Sequence, residues 1–506
     1  MFATPTFDDL NVWAALPLIM LGLGTCVLLI ADLLIPKDKK LYTAVLAAVG
    51  VIVSLVLALA QATGAAEIGE SGTAFSGIFV ADQFTYLVNV IVLTAALIGI
   101  LVSYDYLKRT GNERGEFYTL MLFSAMGAML MGSSRNLVMI FVALELLSIP
   151  LYILSGFRRP MEQSEESAMK YLLLGAFASG FLVYGIAFMF GATGSFDLPT
   201  IWQHAVGILN GDMPGQATLL IGIGLVLIAL GFKVGAVPFH MWQPDVYQGA
   251  PTPVTAYMSV VAKTGGFAAL LRVLATGMGV VSDGNAINAW QDTVQLMAFI
   301  TLLLGNVVAV MQVDLKRLLA YSSIAHAGYI LIAVAAGGSQ GTQDAAVQAA
   351  LIYLLAYTFT NIGAFAFVVA MERNDTSGTT LDDIKGLANN NPGLALAMAI
   401  FMFSLTGIPA TAGFMGKWFV FKAALDANLT VLAVAGIVTS VISAFYYLRV
   451  IMNMYMVQGD ARPAMKLKPA LRTALLITAI GTILLGLQPY LMTDLAQDIT
   501  LAIVGH

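Results

Sequence analysis

Cysteine is almost missing: Cys26 is the one cysteine in 506 residues. A single thiol excludes an internal disulfide and a cysteine-ligated iron–sulfur cluster within the chain. Set in the first apolar run, Cys26 reads as a small buried apolar residue. Charge is scarce as well. Asp, Glu, Lys and Arg make up 10% of the residues, against about a quarter in soluble domains. The net charge of -5 is small, and no basic run suggests nucleic acid. Long polar stretches are missing too, because the longest, 192–216 and 373–392, are loop-sized and leave no room for a separate soluble domain. No Cys-x-x-Cys pair occurs and no dinucleotide fingerprint follows a strand. Gly222 and Gly224 lie inside an apolar run and read as packing residues. The N-terminus lacks a basic segment and carries Asp8 and Asp9, so its first apolar run reads as a retained helix rather than a cleaved signal.

What is present is hydrocarbon. Hydrophobic residues make up 59% of the chain and the mean hydropathy is +0.85. Apolar runs long enough to cross a bilayer as helices recur from end to end. They predict spans at 12–34, 41–62, 78–103, 116–133, 136–156, 165–191, 217–242, 252–277, 289–312, 318–338, 345–372, 393–424, 429–457 and 473–492. The fold expected is an all-α membrane protein of about 14 transmembrane helices. Charge tests that count. Loops after odd-numbered spans, from Lys37 and Lys40 through Arg158 and Lys316 to Arg462 and Arg472, hold 16 of the 24 Lys and Arg, and loops after even-numbered spans hold only Arg135. By the positive-inside rule the basic loops are cytoplasmic and both termini face the periplasm, across a bacterial inner membrane. Trp13, Trp242 and Trp290 fall near span ends and read as interface anchors.

Charges inside spans are the exception that points to chemistry. Glu145, Lys170, Lys233, Lys263, His326 and Lys417 all lie in apolar stretches. Each charge at mid-helix costs roughly 2.5–3.5 kcal/mol on insertion scales, so such residues must face the bundle interior, paired or hydrated. A line of them reads as a proton or ion path. Lysine suits that work because desolvation disfavours its ammonium and a nearby carboxylate restores it. Movement of Glu145 relative to Lys233 can therefore load or unload a proton, and His326 can relay through either ring nitrogen. Any one lysine could instead be a structural ion-pair partner, and Lys170, near the start of its span, could snorkel. Arg272, Lys422 and Arg449, toward span ends, read as snorkelling. His240 closes the seventh span beside Trp242, and either gates its mouth or is a satisfied interface histidine.

An internal repeat is also suggested. Gly235 and Pro238 follow Lys233, and Gly407, Pro409, Gly413 and Gly416 precede Lys417. Glycine and proline at these positions favour broken helices. The breaks fall in the seventh and twelfth spans, and a five-span repeat, being odd, inverts one copy against the other. The chain then divides into 1–115 (three helices), 116–280 (first five-helix repeat), 289–457 (second five-helix repeat) and 473–492 (last helix).

Two stretches carry a family resemblance. GFKVGAVPFHMWQPDVYQGAPTPVTAYMSVVAKTGG, from Gly231 to Gly266, and SLTGIPATAGFMGKW, from Ser404 to Trp418, closely resemble the antiporter-like subunits of respiratory complex I, the proton-translocating NADH–quinone oxidoreductase. The likeness covers essentially the whole chain. Within the family the chain is similar to branch N. Val246 and Tyr247 follow Pro244 and Asp245 where the L and M branches have alanine, Lys417 stands where branch M has glutamate, and the chain ends at His506 without the lateral helix of branch L. The resemblance implies that Glu145 and Lys233 are partners in the fifth and seventh spans and that Lys170 helps couple neighbouring subunits. It implies that Lys263 and His326 are central relays and that Lys417 lies near the proton exit. It also implies a translocase subunit with no redox centre or cofactor of its own, the FMN, iron–sulfur clusters and quinone belonging to partner subunits. The partners implied are other complex I membrane subunits, antiporter-like ones especially, and lipids. A subunit of a multi-subunit cation/proton antiporter is the alternative, since it shares the fold and the lysines.

Overall fold

The structure, a computed structural model, describes residues 10–36, 39–64, 72–211, 213–276, 288–374, 376–459, 463–496 and 499. Asp8 and Asp9, used in reading the first run as a retained helix, and Lys37 and Arg462, which entered the charge pattern, lie outside them. The described chain is almost entirely helical. Its helices are α1 (Leu16–Leu34), α2 (Leu41–Ala62), α3 (Gln83–Thr110), α4 (Glu116–Ser133), α5 (Leu137–Ser155), α6 (Glu162–Thr193), α7 (Leu198–Leu209), α8 (Gln216–Val234), α9 (Trp242–Gly249) and α10 (Thr252–Leu271). They continue as α11 (Asn288–Val310), α12 (Leu315–Ala336), α13 (Gln343–Met371), α14 (Leu387–Asn390), α15 (Pro392–Thr406), α16 (Ala412–Asp426), α17 (Thr430–Tyr455), α18 (Pro469–Leu487) and α19 (Tyr490–Ala496). Twelve of the described helices are long and apolar enough to cross a membrane, and the protein is a multi-pass membrane protein.

Local chemistry sets the helix ends. Asp82, Asn136 and Asp314 sit in extended conformation before α3, α5 and α12, and each side chain accepts from backbone N–H groups of the first turn. Gly111 and Gly194 close α3 and α6 in the left-handed conformation. In the bundle, α10, α12 and α13 are buried along almost their whole membrane windows, whereas α1, α2, α6, α17 and α18 bury about a third to two-fifths of theirs. The three central helices are thus shielded from the bilayer, and two of them carry Lys263 and His326.

Several expectations are corrected. Cys26 is exposed on the outer face of α1 rather than buried. Trp242 and Trp290 are 3% and 5% exposed, so neither anchors at a lipid interface, while Trp13 is exposed. Arg272 does not snorkel. It is 1% exposed and makes a two-pronged ion pair with Asp82 at 2.5 and 2.6 Å, with Thr85 and the Gly132 carbonyl completing its shell. Lys422 is exposed, as snorkelling requires. The stretch 192–216 holds the amphipathic helix α7, and residues 79–81, assigned to the third span, pair instead with 72–74 as a two-stranded ribbon. Position alone cannot separate an interfacial arginine from a buried one, because the discriminating partner, Asp82, lies on a distant helix.

Candidate functional site

The spans expected as the seventh and twelfth are both interrupted. Helix α8 ends at Val234, where Gly235 takes a left-handed conformation (φ 77°), and the chain resumes helical structure at Trp242. Likewise α15 ends at Thr406, Gly407 turns left-handed (φ 91°), and α16 begins at Ala412. Each break frees backbone groups inside the bundle. Lys417, one turn into α16, satisfies those at the second break: its ammonium donates to the carbonyls of Leu405 at 3.0 Å and Thr406 at 2.8 Å, and to Ser440 Oγ at 2.8 Å. The positive charge sits at the negative end of the α15 dipole.

Lys233 lies in the last turn of α8 and is buried. Its ammonium donates to Ser148 Oγ on α5 at 2.6 Å and lies 3.4 Å from the Tyr171 hydroxyl on α6. Tyr171 stacks flat on Trp242, ring centroids 4.5 Å apart. Glu145 is one turn before Ser148, yet among the described residues it makes no ion pair with Lys233. It accepts a short hydrogen bond from Ser179 on α6. The acid and the lysine are therefore neighbours held apart, each on its own hydroxyl.

From Lys233 the polar groups continue through the core. Gly266 on α10 packs against the Lys233 stem, and a Cβ there would lie 3.3 Å from Lys233 Cγ. One turn earlier, buried Lys263 donates a short hydrogen bond to the Ser323 carbonyl on α12. One turn further along α12, His326 meets two tyrosines: Nδ1 lies 2.6 Å from the Tyr353 hydroxyl and Nε2 3.0 Å from the Tyr447 hydroxyl. Tyr447 in turn lies 2.5 Å from Ser322 Oγ. The Tyr329 ring is shared, 5.8 Å from the His326 ring centroid and 4.7 Å beneath the Lys417 ammonium. A cavity of about 10 Å³ lies between His326, Tyr353, Tyr357 and the second break, which is about the space of one water. Among the described residues the buried hydroxyls of Thr264, Ser323, Tyr329 and Tyr357 make no hydrogen bond of ordinary geometry, although Tyr357 faces Ser323 and Tyr329 faces Thr439 and Ser440. Buried polar groups are normally satisfied, so the hydroxyl-rich line from Lys263 to Lys417 is suited to bridging water.

Lys170 stands apart from this line. It is partly exposed on α6 and pairs with Glu166 at 2.7 Å and with Asp245 at 2.8 Å. Asp245 also accepts from Arg317 on α12 at 2.9 Å, so one carboxylate ties α6 to α12 across the first break. Partial burial raises the Asp245 pKa, but the bonds from Lys170 and Arg317 outweigh it and hold the carboxyl below the usual carboxylate range. A polar cavity of about 230 Å³ opens beside Lys170 and Asp245. His240 is half-buried within the first break.

Sequence reasoning missed two groups. The tyrosines Tyr171, Tyr329, Tyr353 and Tyr447 carry no charge, so hydropathy offered no signal for them. Lys316, counted with the loops, is buried and donates to the Ala250 carbonyl at 2.8 Å. Nearby Glu372 accepts from Arg158 at 3.1 Å, from Tyr106 at 3.2 Å and, in a short bond, from Thr252. This buried acid draws the ends of four helices together.

A family model described as "NADH:quinone oxidoreductase/Mrp antiporter, TM" matches residues 134–443, which include every candidate residue. The chain is 44% identical to NADH-quinone oxidoreductase subunit N 1 of Herpetosiphon aurantiacus, covering 99% of both chains. It is 44% identical to NADH-quinone oxidoreductase subunit N of Chloroflexus aggregans, covering 95% of both. Among solved structures, a chain of respiratory complex I from Thermus thermophilus matches with a TM-score of 0.77 and 33% identity, covering 94% of this chain and 98% of that one. A chain of the Mrp complex from Dietzia matches with a TM-score of 0.78 at 22% identity, covering 97% and 96%, a likeness of fold alone.

Proposed function

The chain belongs to the NADH:quinone oxidoreductase/Mrp antiporter membrane family, and on that premise we propose that it is subunit N of a bacterial NADH–quinone oxidoreductase. In this reading it is a translocase subunit that moves protons along its buried lysines while quinone is reduced elsewhere in the complex. The observation that carries the proposal is the contiguous line Lys233, Lys263, His326 and Lys417, on helices packed one against the next between the two breaks. Identity of 44% over whole chains of subunit N supports the assignment within the family.

The geometry suggests how protons move. Glu145 on Ser179 makes no ion pair with Lys233, and Glu145 swung toward Lys233 makes one. The two positions favour release and retention of the lysine proton respectively. Released protons pass by Lys263 and the hydroxyl-lined core to His326, whose two nitrogens each face a tyrosine hydroxyl and so accept on one side and donate on the other. Lys417 is the last station, its ammonium held by the carbonyls that end α15. Lys170, tied to Asp245 and through it to Arg317, links the outer helix α6 to the central α12 and is the residue placed to feel a neighbouring subunit. His240, in the break, is placed to gate.

We read fourteen crossings: the twelve long apolar helices, the 18-residue α4, and α15 with α16 as one broken span. They divide into residues 1–115, the repeats 116–280 and 289–457, and a last helix at 473–492. Paired geometry supports the repeats. Asn136 caps α5 and bridges to Asp197, and Asp314 caps α12 and bridges to Thr380. Gly235 and Gly407 end their half-helices alike. Five-span copies run in opposite senses through the membrane. The chain then lies in the bacterial inner membrane with its basic loops cytoplasmic and both termini periplasmic. Its partners are the other membrane subunits, antiporter-like ones among them, while FMN, iron–sulfur clusters and quinone stay on other polypeptides. A cation/proton antiporter subunit is the second reading that the shared Mrp fold allows, and it predicts sodium-dependent proton exchange without NADH.

The test is NADH-driven proton uptake in inverted vesicles, comparing wild type with Lys233→Ala and checking assembly on native gels. Loss of a proton-transfer group lowers transfer by roughly a hundredfold, so both pumping and the quinone reduction coupled to it are expected to collapse in assembled complex. An assembled variant that pumps like wild type makes Lys233 structural and sinks the proposal.

A further inference from the structure

A groove of about 750 Å³ runs along the outer surface between α15 and α18, within the roughly 300–1,000 Å³ range of small-molecule sites. Its walls are apolar: Leu396, Ala397 and Ile400 on α15 line one side, and Leu475, Leu476 and Ala479 on α18 line the other. One end differs. There the segment before α18 contributes Lys466, and the first turn of α18 contributes Arg472. Both side chains are exposed, and among the described residues neither has an ion-pair partner.

That end is built. Asn391, itself buried, donates to the Pro463 carbonyl at 3.2 Å and accepts from the Met465 backbone N–H at 2.7 Å, clamping the segment that carries Lys466 against the start of α15. The buried carboxylate of Asp105 accepts from the Leu471 N–H at 3.0 Å. One first-turn N–H of α18 is therefore already taken by a carboxylate, and the cations at the groove mouth are the side chains of Lys466 and Arg472.

We propose that this groove holds an anionic diacyl phospholipid, its phosphate between Lys466 and Arg472 and one acyl chain along the α15–α18 cleft. Two cations at one end and hydrocarbon over the rest match such a lipid in both charge and order of depth. Basic clusters at the cytoplasmic ends of transmembrane helices recognise anionic headgroups in this way. The mouth lies among the basic loops, in the leaflet where the positive-inside rule gathers cations. Free phosphate would use the cations and leave the apolar walls unfilled. A neighbouring subunit would have to bring both an apolar face for the walls and acidic groups for the two cations. The proposal does not depend on the proton path.

A photo-reactive amino acid at Leu396, in the assembled complex reconstituted into mixed phosphatidylglycerol and phosphatidylcholine vesicles, identifies the occupant by the mass of its adduct. Two cations at about 1 kcal/mol each predict a preference for phosphatidylglycerol of roughly five- to thirtyfold over its share of the vesicle. The double variant Lys466→Ala/Arg472→Ala is expected to label in proportion to vesicle composition, while Lys466→Arg keeps the preference. Because both side chains are exposed and unpaired, assembly on native gels should be unchanged. Adducts that follow bulk composition in the wild type overturn the proposal, as does cross-linking to a neighbouring subunit. Loss of the preference on adding millimolar inorganic phosphate reduces the site to a simple anion site and overturns it as well.

Discussion

Arg272 and His326 mark the two kinds of buried polar residue in this protein. Arg272 is committed, with Asp82, Thr85 and the Gly132 carbonyl accepting four hydrogen bonds from it and Phe84 under its guanidinium. Breaking a buried pair by removing one partner typically costs about 3–5 kcal/mol. Arg272→Leu is therefore expected to lower the melting temperature of the purified complex and the yield of assembled protein. Arg272→Leu with Asp82→Asn should recover much of the loss, because asparagine removes the stranded charge and still caps α3. A double variant no better than the single one would show that the pair is not what holds α3 to α10. His326 is poised instead, between two hydroxyls that can donate or accept. Tyr353→Phe removes one of them at a typical cost of only about 0.5–1.5 kcal/mol. Assembly should survive while NADH-driven proton uptake falls several-fold, and an unchanged rate would take Tyr353 out of the relay. The charged members of the line were legible in the sequence because a charge in hydrocarbon is costly. The phenols around them were not, since a tyrosine that packs and a tyrosine that relays look alike in a hydropathy profile.

Broken helices were legible at the level of the element, because glycine and proline together beside a buried lysine favour a break in an apolar run. The pattern could not say which backbone groups the break frees or what satisfies them. At the second break the answer is Lys417, and Gly407 is what allows it. With φ at 91°, a side chain there is strained, and a Cβ would stand 3.0 Å from Lys417 Cδ. Left-handed non-glycine residues cost about 1–3 kcal/mol, and the flexible lysine stem is the part that can yield. Gly407→Ala is therefore expected to leave the complex assembled while moving the ammonium off the α15 carbonyls and slowing proton uptake. Gly235→Ala should be the more severe, because its Cβ would lie 2.0 Å from the buried Gln243 Oε1 and must displace it. If Gly407→Ala pumps at the wild-type rate, the seat of Lys417 at the helix end has no part in transport. The elements that sequence missed, α7 and the short strands at 72–74 and 79–81, are too short for a hydropathy window and too amphipathic to stand out as loops.

Across the whole molecule, the number of crossings and their direction are one question. Twelve long apolar helices and fourteen crossings both place the termini on the same side, so terminal reporters cannot distinguish them. Internal positions can. Between Lys108 and Asn210 lie α4, α5 and α6, so these two residues face opposite sides only if the 18-residue α4 crosses. Between Asn210 and Asp426 lie six crossings if α15 and α16 together make one, and five if they do not. All three residues are exposed, and the single native cysteine, exposed on α1, can be replaced by serine to give a clean background. Lys108→Cys is expected to react with a membrane-impermeant maleimide only in inverted vesicles. Asn210→Cys and Asp426→Cys are expected to react only in right-side-out ones. Lys108 and Asn210 labelling from one face would remove α4 from the crossings, and Asn210 and Asp426 labelling from opposite faces would remove the α15–α16 pair. Either result breaks the proposed odd-numbered repeat, and with it the proposed inversion of the two lysine-bearing breaks. The charge pattern makes the stronger claim, because on the proposed topology moving any one crossing would carry part of the basic cluster, with Arg158 and Lys316 in it, to the side whose loops hold only Arg135.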